Sequence, residues 1–206
     1  MPWPWRTKHA NKSSDVPEPV DILIQSAQDD ISRVLGLFAR GRLSPEQWYR
    51  EMQVTLTRNW VGSYITGTGK DALSRAEETW LKREYNKHNT FLRQFRDDIL
   101  NGRYVDPETG ELRLGALQAR SDMYAQRLRG LYEAGRAAGE EIELPFVPGS
   151  GATQCLTNCR CDVRYEMRDG QKVAIWHANL DSESCPDCVA LNGKPHTEWA
   201  ATVGAR

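Results

Sequence analysis

The chain has 206 residues, and its 27 basic and 28 acidic side chains nearly cancel to a formal net charge of −1. That balance excludes a strongly basic protein that coats nucleic acid through counterion release. A chain of this length buries about 70% of its unfolded surface when compact, so size alone forces neither a metal nor a disulfide. No apolar run approaches the roughly 20 residues needed to span a bilayer, and no membrane partner is expected.

Residues 1–16 are rich in Pro, Ser, Lys and Asn and show no hydrophobic period. Such a segment buries too little apolar area to offset its ordering entropy, which predicts a flexible N-terminal arm that orders only against a partner. Trp3 and Trp5, set between prolines, are anchors for that partner or a leader lying on the protein's own surface. The stretch lacks the 7 to 15 residue apolar segment of a secretory signal, so the chain is expected to stay in the cytoplasm where it is made.

Residues 17–143 read as a helical domain. Leu23, Ile24, Ala27, Ile31, Val34, Leu35 and Phe38 recur at helical steps up to Gly41. Ser44-Pro-Glu-Gln47 opens a second helix with a capping box, and Trp48, Met52, Leu56 and Trp60 follow on one face, with Gly62, Gly67 and Gly69 weakening its end. A third pattern starts near Asp71 and carries Leu73, Ala76, Trp80, His88, Phe91, Leu92, Phe95 and Ile99, long enough to exceed 25 residues. The turn chemistry of Tyr104-Val-Asp-Pro-Glu-Thr-Gly-Glu-Leu112 predicts a loop or small hairpin. In a fourth helix Leu117, Tyr124, Leu131 and Ala138 repeat by sevens, with Leu128 and Gly135 between them, a stripe suited to packing along another helix. Arg120, Arg127, Arg129 and Arg136 are expected on a solvated face, the alternative being contacts to phosphate or an acidic partner.

Residues 144–206 change character. All five cysteines lie between positions 155 and 188, and an odd, clustered set in an unexported chain points to metal binding over disulfides. Apolar Cys161, Val163, Tyr165 and Met167 alternate with polar residues, Asp169-Gly170 marks a tight turn, and Val173, Ile175, Trp176 and His177 make a returning strand. Folding about that turn sets position 161 near 178 and 159 near 180, so Cys155, Cys159 and Cys161 come beside the segment leading to Cys185 and Cys188. Cys185-Pro-Asp-Cys188 is a knuckle whose two thiolates can grip one ion, and a second pair completes four ligands. Soft thiolates in a closed tetrahedral set suit structural zinc, which would add about 10 kcal/mol or more of apparent binding energy to folding of this tail.

One cysteine is spare. Cys161, at the start of the apolar strand face, is the first choice for a buried thiol and Cys155 the second, while His177 is an alternative ligand. Competing readings are a reduced thiol cluster, a disulfide pair, a thioredoxin-like redox motif that lacks its α/β setting, and a Cys-His nucleophile with His177 or His196 as base but no orienting group. The expected fold class is therefore mainly α with a small α+β zinc-binding tail, a helical bundle or stalk followed by a β-hairpin and cysteine knuckle.

Thr153-Gln-Cys-Leu-Thr-Asn-Cys-Arg-Cys161, the hairpin, and Leu180-Asp-Ser-Glu-Ser-Cys-Pro-Asp-Cys-Val-Ala-Leu-Asn-Gly193 together resemble the C-terminal domain of phage minor head proteins of the Mu F-like head morphogenesis family. The resemblance covers about residues 120–195, including the Tyr124–Gly139 helix, and the earlier helices match only in being helical. In that family Asn-Cys-Arg-Cys usually follows a histidine, whereas here Cys155 lies upstream. Cys159, Cys161, Cys185 and Cys188 fall on the family's cysteine positions, which runs against Cys161 as the spare, so all five stay candidates.

The resemblance implies a virion protein of a tailed phage or prophage, at the portal vertex or capsid interior. Its partners would be the portal or major capsid protein, packaged DNA and further copies of itself, and its role would lie in head assembly, DNA packaging or ejection. It implies no chemistry, and with few residues after Trp199 no further enzymatic domain is expected. The alternative is a zinc-knuckle nucleic-acid-binding regulatory protein. That reading needs a basic tail, yet residues 141–206 hold 9 acidic and 6 basic residues.

Overall fold

Helix boundaries follow local chemistry along the whole first part of the chain. The computed structural model describes residues 18–156, 159–180 and 184–204, and the arm read at residues 1–16 lies outside them. Helix α1 (Pro19–Ala39) starts on a proline and buries Val20, Ile24, Ala27, Ile31, Val34, Leu35 and Phe38. It stops where Gly41 turns left-handed and Arg42 N–H reaches back to the Leu37 carbonyl. Helix α2 (Pro45–Thr68) opens with the expected box: Ser44 Oγ accepts the Gln47 N–H, and the Gln47 side chain accepts the Ser44 N–H at 2.8 Å.

Helix α3 (Arg75–Leu100) begins four residues later than the apolar pattern suggests, because Ser74 and Glu77 build a second capping box. Its Phe91, placed by the sequence pattern on the buried stripe, is 54% exposed. Val105 and Leu112 then form a small antiparallel bridge before helix α4 (Leu114–Gly139). The four helices share one core, in which Trp48 meets the Phe95 ring edge-on at 5.0 Å between centroids.

The closest approach joins α2 to α4. Gly67, Gly135 and Gly139 lie where an added Cβ would overlap the carbonyl oxygens of Tyr132, Tyr64 and Thr68 respectively. Gly67 is thus a contact surface inside α2, where the sequence suggested only a weak helix end. Buried Ser63 Oγ donates to the Leu128 carbonyl across the same crossing at 2.9 Å.

The four arginines of α4 are not a solvated face. Arg120 pairs with Asp98, donates to Tyr104 and lies 4.5 Å above the Phe95 ring. Arg127 donates to His88 Nε2 at 2.9 Å and to the Ser150 carbonyl at 3.2 Å. Arg129, buried, pairs with Asp21 of α1. Arg136 pairs with Glu133 at 3.3 Å and covers the Tyr165 ring. Their charges are spent inside the chain, which explains why an arginine-rich helix leaves no free basic stripe.

Past α4 the chain turns through Glu141 in a left-handed conformation, and Ile142 N–H closes on the Ala137 carbonyl. Strands β1 (Asp162–Arg168) and β2 (Gln171–His177) form an antiparallel hairpin, turned by Asp169 and Gly170 at φ of 50° and 77°. The pairing Asp162↔His177, carried one step back, sets Cys161 opposite Ala178 as the sequence predicts. Met167, expected on the apolar face, is 63% exposed because the strand outruns its core. Two further helices, α5 (Pro186–Leu191) and α6 (His196–Gly204), were not legible in the sequence. They close a second core in which Trp176 and Trp199 pack edge to face at 5.2 Å. Among the described residues no helix is long and apolar enough to cross a membrane.

Two predictions rest on this packing. Gly135→Ala is expected to cost about 1–3 kcal/mol by overpacking the crossing, whereas Gly62→Ala, which meets open space in the same region of the bundle, is expected to gain about 1 kcal/mol. Thermal melts of the two variants check both signs. Glu133 is 1% exposed, and burial pushes its carboxyl up to about 7 despite the pull of Arg136. Because the folded chain favours the protonated form, this stability is complete below the ordinary value near 4.5 and is lost as pH rises through about 7. Glu133→Gln is therefore expected to raise stability above pH 7 by up to about 3 kcal/mol and to flatten the profile between pH 5 and 7. An unchanged profile would refute the assignment.

Candidate metal centre

The hairpin and the segments at its open end bring the five cysteines together. Cys159 and Cys161 stand at the entry to β1, and Cys185 and Cys188 open the short helix α5. Cys155 arrives from upstream, held there by Asp187, whose buried carboxylate accepts the Gln154 N–H at 2.9 Å. Asn192 ties the other side, accepting the Ala178 N–H at 3.0 Å. Neither Asp187 nor Asn192 was singled out in the sequence, and neither has a spacing signal that marks it.

All five thiols are free, and they form two trios that share Cys188. One is Cys155, Cys185 and Cys188, and the other is Cys159, Cys161 and Cys188, with sulfurs in each trio within 4.8 Å of one another. Cys188 Sγ lies 3.5 Å from Cys155 Sγ and 3.6 Å from Cys159 Sγ. Thiolates around a tetrahedral ion with metal–sulfur bonds of about 2.3 Å stand about 3.8 Å apart, so these separations sit close to those of a ligand set. Clustered cysteines of this kind can hold a metal ion.

The electrostatics of the cluster are uneven. Contacts with the Cys159 and Cys188 thiols, then with the Asn179 backbone, hold the Cys161 thiol well below its ordinary range against the effect of burial. At Cys185 burial opposes ionisation, but the Cys188 backbone N–H and neighbouring thiol contacts outweigh it and the thiol is lowered. Cys159 and Cys188, which give hydrogen bonds to these neighbours, are pushed up. The fold thus favours negative sulfur at Cys161 and Cys185, one in each trio, while the hydrogen bonds of Cys159 and Cys188 within the cluster favour their protonated forms.

The histidines considered with this site stand elsewhere. His177 Nδ1 pairs with Asp162 at 2.8 Å, and neither thiol trio includes it. His196 Nδ1 accepts the Ala174 N–H and its ring packs against Trp199. Neither is positioned as a base for a cysteine nucleophile by the contacts it makes.

Since Cys188 belongs to both trios, Cys188→Ser is expected to abolish metal retention and to melt the hairpin unit while α1–α4 stay folded. Metal content per chain, read with far-ultraviolet circular dichroism, checks this, and undiminished metal would contradict it. Compared with protein families, curated proteins and solved structures, the chain matches none.

Proposed function

We propose that this chain is a structural minor head protein of a tailed phage or prophage, acting at the portal or inner capsid in head morphogenesis, DNA packaging or ejection. The observation that carries the reading is the gathering of Cys155, Cys159, Cys161, Cys185 and Cys188 at the open end of a hairpin that follows a long helix. That order of elements is the one the Mu F-like resemblance leads one to expect. Zinc is the ion that suits the site best, since the donors are all sulfur and a closed thiolate set needs no redox chemistry. Bound there, the ion would cross-link the upstream loop, the strand entry and the α5 knuckle.

The small second core supports a structural role for the ion. Among the described residues its buried members number nine, and three of them are Cys159, Cys161 and Cys188. A unit with so few apolar residues gains much of its stability from ligand bonds. The nucleic-acid reading fares worse, because the tail is acidic and the arginines of α4 are engaged within the chain.

The test is physical association with particles. An epitope-tagged copy, expressed from its native locus during particle production, is expected to co-sediment with density-purified heads at a few copies per particle, and its deletion is expected to yield heads that are empty or fail to deliver DNA. Normal, infectious particles lacking the protein would overturn the proposal, and tight duplex binding by the chain at physiological salt would favour the nucleic-acid alternative.

A further inference from the structure

Helices α2 and α3 leave a cavity of about 370 Å³ between them, with Leu131 of α4 as part of its lining. Trp60, Leu81 and Leu131 are buried, and half-buried Val61 and Tyr85 carry the lining outward. The surface inside is almost wholly apolar, and the charged side chains that border it are Glu78, Lys82 and Glu84. A site for a small polar ligand places several polar groups where the ligand sits. This lining suits an apolar or aromatic side chain instead.

The N-terminal arm joins the bundle at the same level. Asp21, in the first turn of α1, pairs with Arg129 of α4, two residues and about 3 Å of helix rise from Leu131. Residues 6–17 separate Trp5 from Glu18, the first described residue. At roughly 3.3 Å per residue that stretch spans up to about 40 Å. Packed helix axes stand about 8–10 Å apart, so Trp3 and Trp5 are within reach of the cavity.

We infer that the cavity between α2 and α3 is a docking site for the Trp3-Pro-Trp5 segment of this chain's own arm, an indole filling it and the basic residues that follow meeting its rim. The site is independent of the metal centre and of the phage reading. Aromatic-lined grooves take proline-bearing segments readily, since proline leaves the backbone little freedom to lose on binding. Residues 1–12 carry Arg6, Lys8 and Lys12 and no acid, and the rim offers two carboxylates to one ammonium. Tethering adds to this. A short linker gives an effective concentration in the millimolar range, so a contact too weak to hold a free peptide stays filled within one chain. A partner that takes the arm must first draw it out of the bundle.

The experiment uses the full chain with carbon-13 methyl groups. In unaltered protein, nuclear Overhauser contacts are expected between the indole protons of Trp3 or Trp5 and the methyls of Val61, Leu81 and Leu131. Trp3→Ala combined with Trp5→Ala is expected to move those methyl signals, because the ring current is lost, and to leave Val163 in the hairpin where it is. A free peptide of residues 1–12 is expected to restore the signals of the double variant. It is also expected to bind that variant about 10-fold more tightly than the wild type, whose own arm fills the cavity.

Indole contacts that fall only on other methyls overturn the docking site, as does their absence. Unmoved methyl signals in the double variant, or equal peptide affinity for variant and wild type, do the same. Contacts found only between differently labelled copies give the cavity to the arm of a second chain and overturn docking within one chain. Because the contacts are read on unaltered protein, the proposal is tested even where the double variant fails to fold.

Discussion

Charge on sulfur is the constraint around which the second half of this molecule is arranged. Five thiols share one small volume, two of them held low and two pushed up by one another. Such a cluster is uncomfortable as an apolar core and uncomfortable as an array of anions. Backbone N–H groups relieve part of the strain, and a soft cation would relieve the rest. The hairpin register, the Asp187 tie to the Gln154 backbone and the Asn192 tie to Ala178 all serve to bring the sulfurs to this condition.

The helical half solves an electrostatic problem of a different kind. Helix α4 carries four arginines, and each is satisfied inside the chain, by Asp98 and Tyr104, by His88 and two linker carbonyls, by Asp21, and by Glu133. Burial of the His88 ring, then the neighbouring Arg127 guanidinium, hold the imidazole down to about 4, so it serves as a neutral acceptor. Arg136 reaches past the bundle to the Tyr165 ring of β1, and Lys172 of β2 pairs with Glu140 at 2.9 Å. These charged contacts at the C-terminal end of α4 link the bundle to the hairpin, whose own core contains no residue of that helix.

What was legible in the sequence was whatever has a period or a cap. The apolar face of α1, the Ser44–Gln47 box and the Asp169–Gly170 turn each leave a local signature that tertiary packing did not overrule. The gathering of the cysteines followed from the turn position by counting. The start of α3 was misplaced because Leu73 fits the apolar rhythm while the Ser74 cap lies inside it. Helices α5 and α6 are six and nine residues long, too short for periodicity to speak. The arginine contacts and the orientation of Trp176 depend on distant partners, and no local pattern encodes them.

Strand β2 has neighbours on both flanks, whereas β1 is paired on one side only among the described residues. The solvent face of β1 carries Arg164, Glu166 and Arg168, all exposed. A strand added at the open edge of β1 would have to set its own side chains beside these alternating charges, a device that guards open sheet edges from polymerising. Crowded together, copies of this chain would be steered away from ribbon growth.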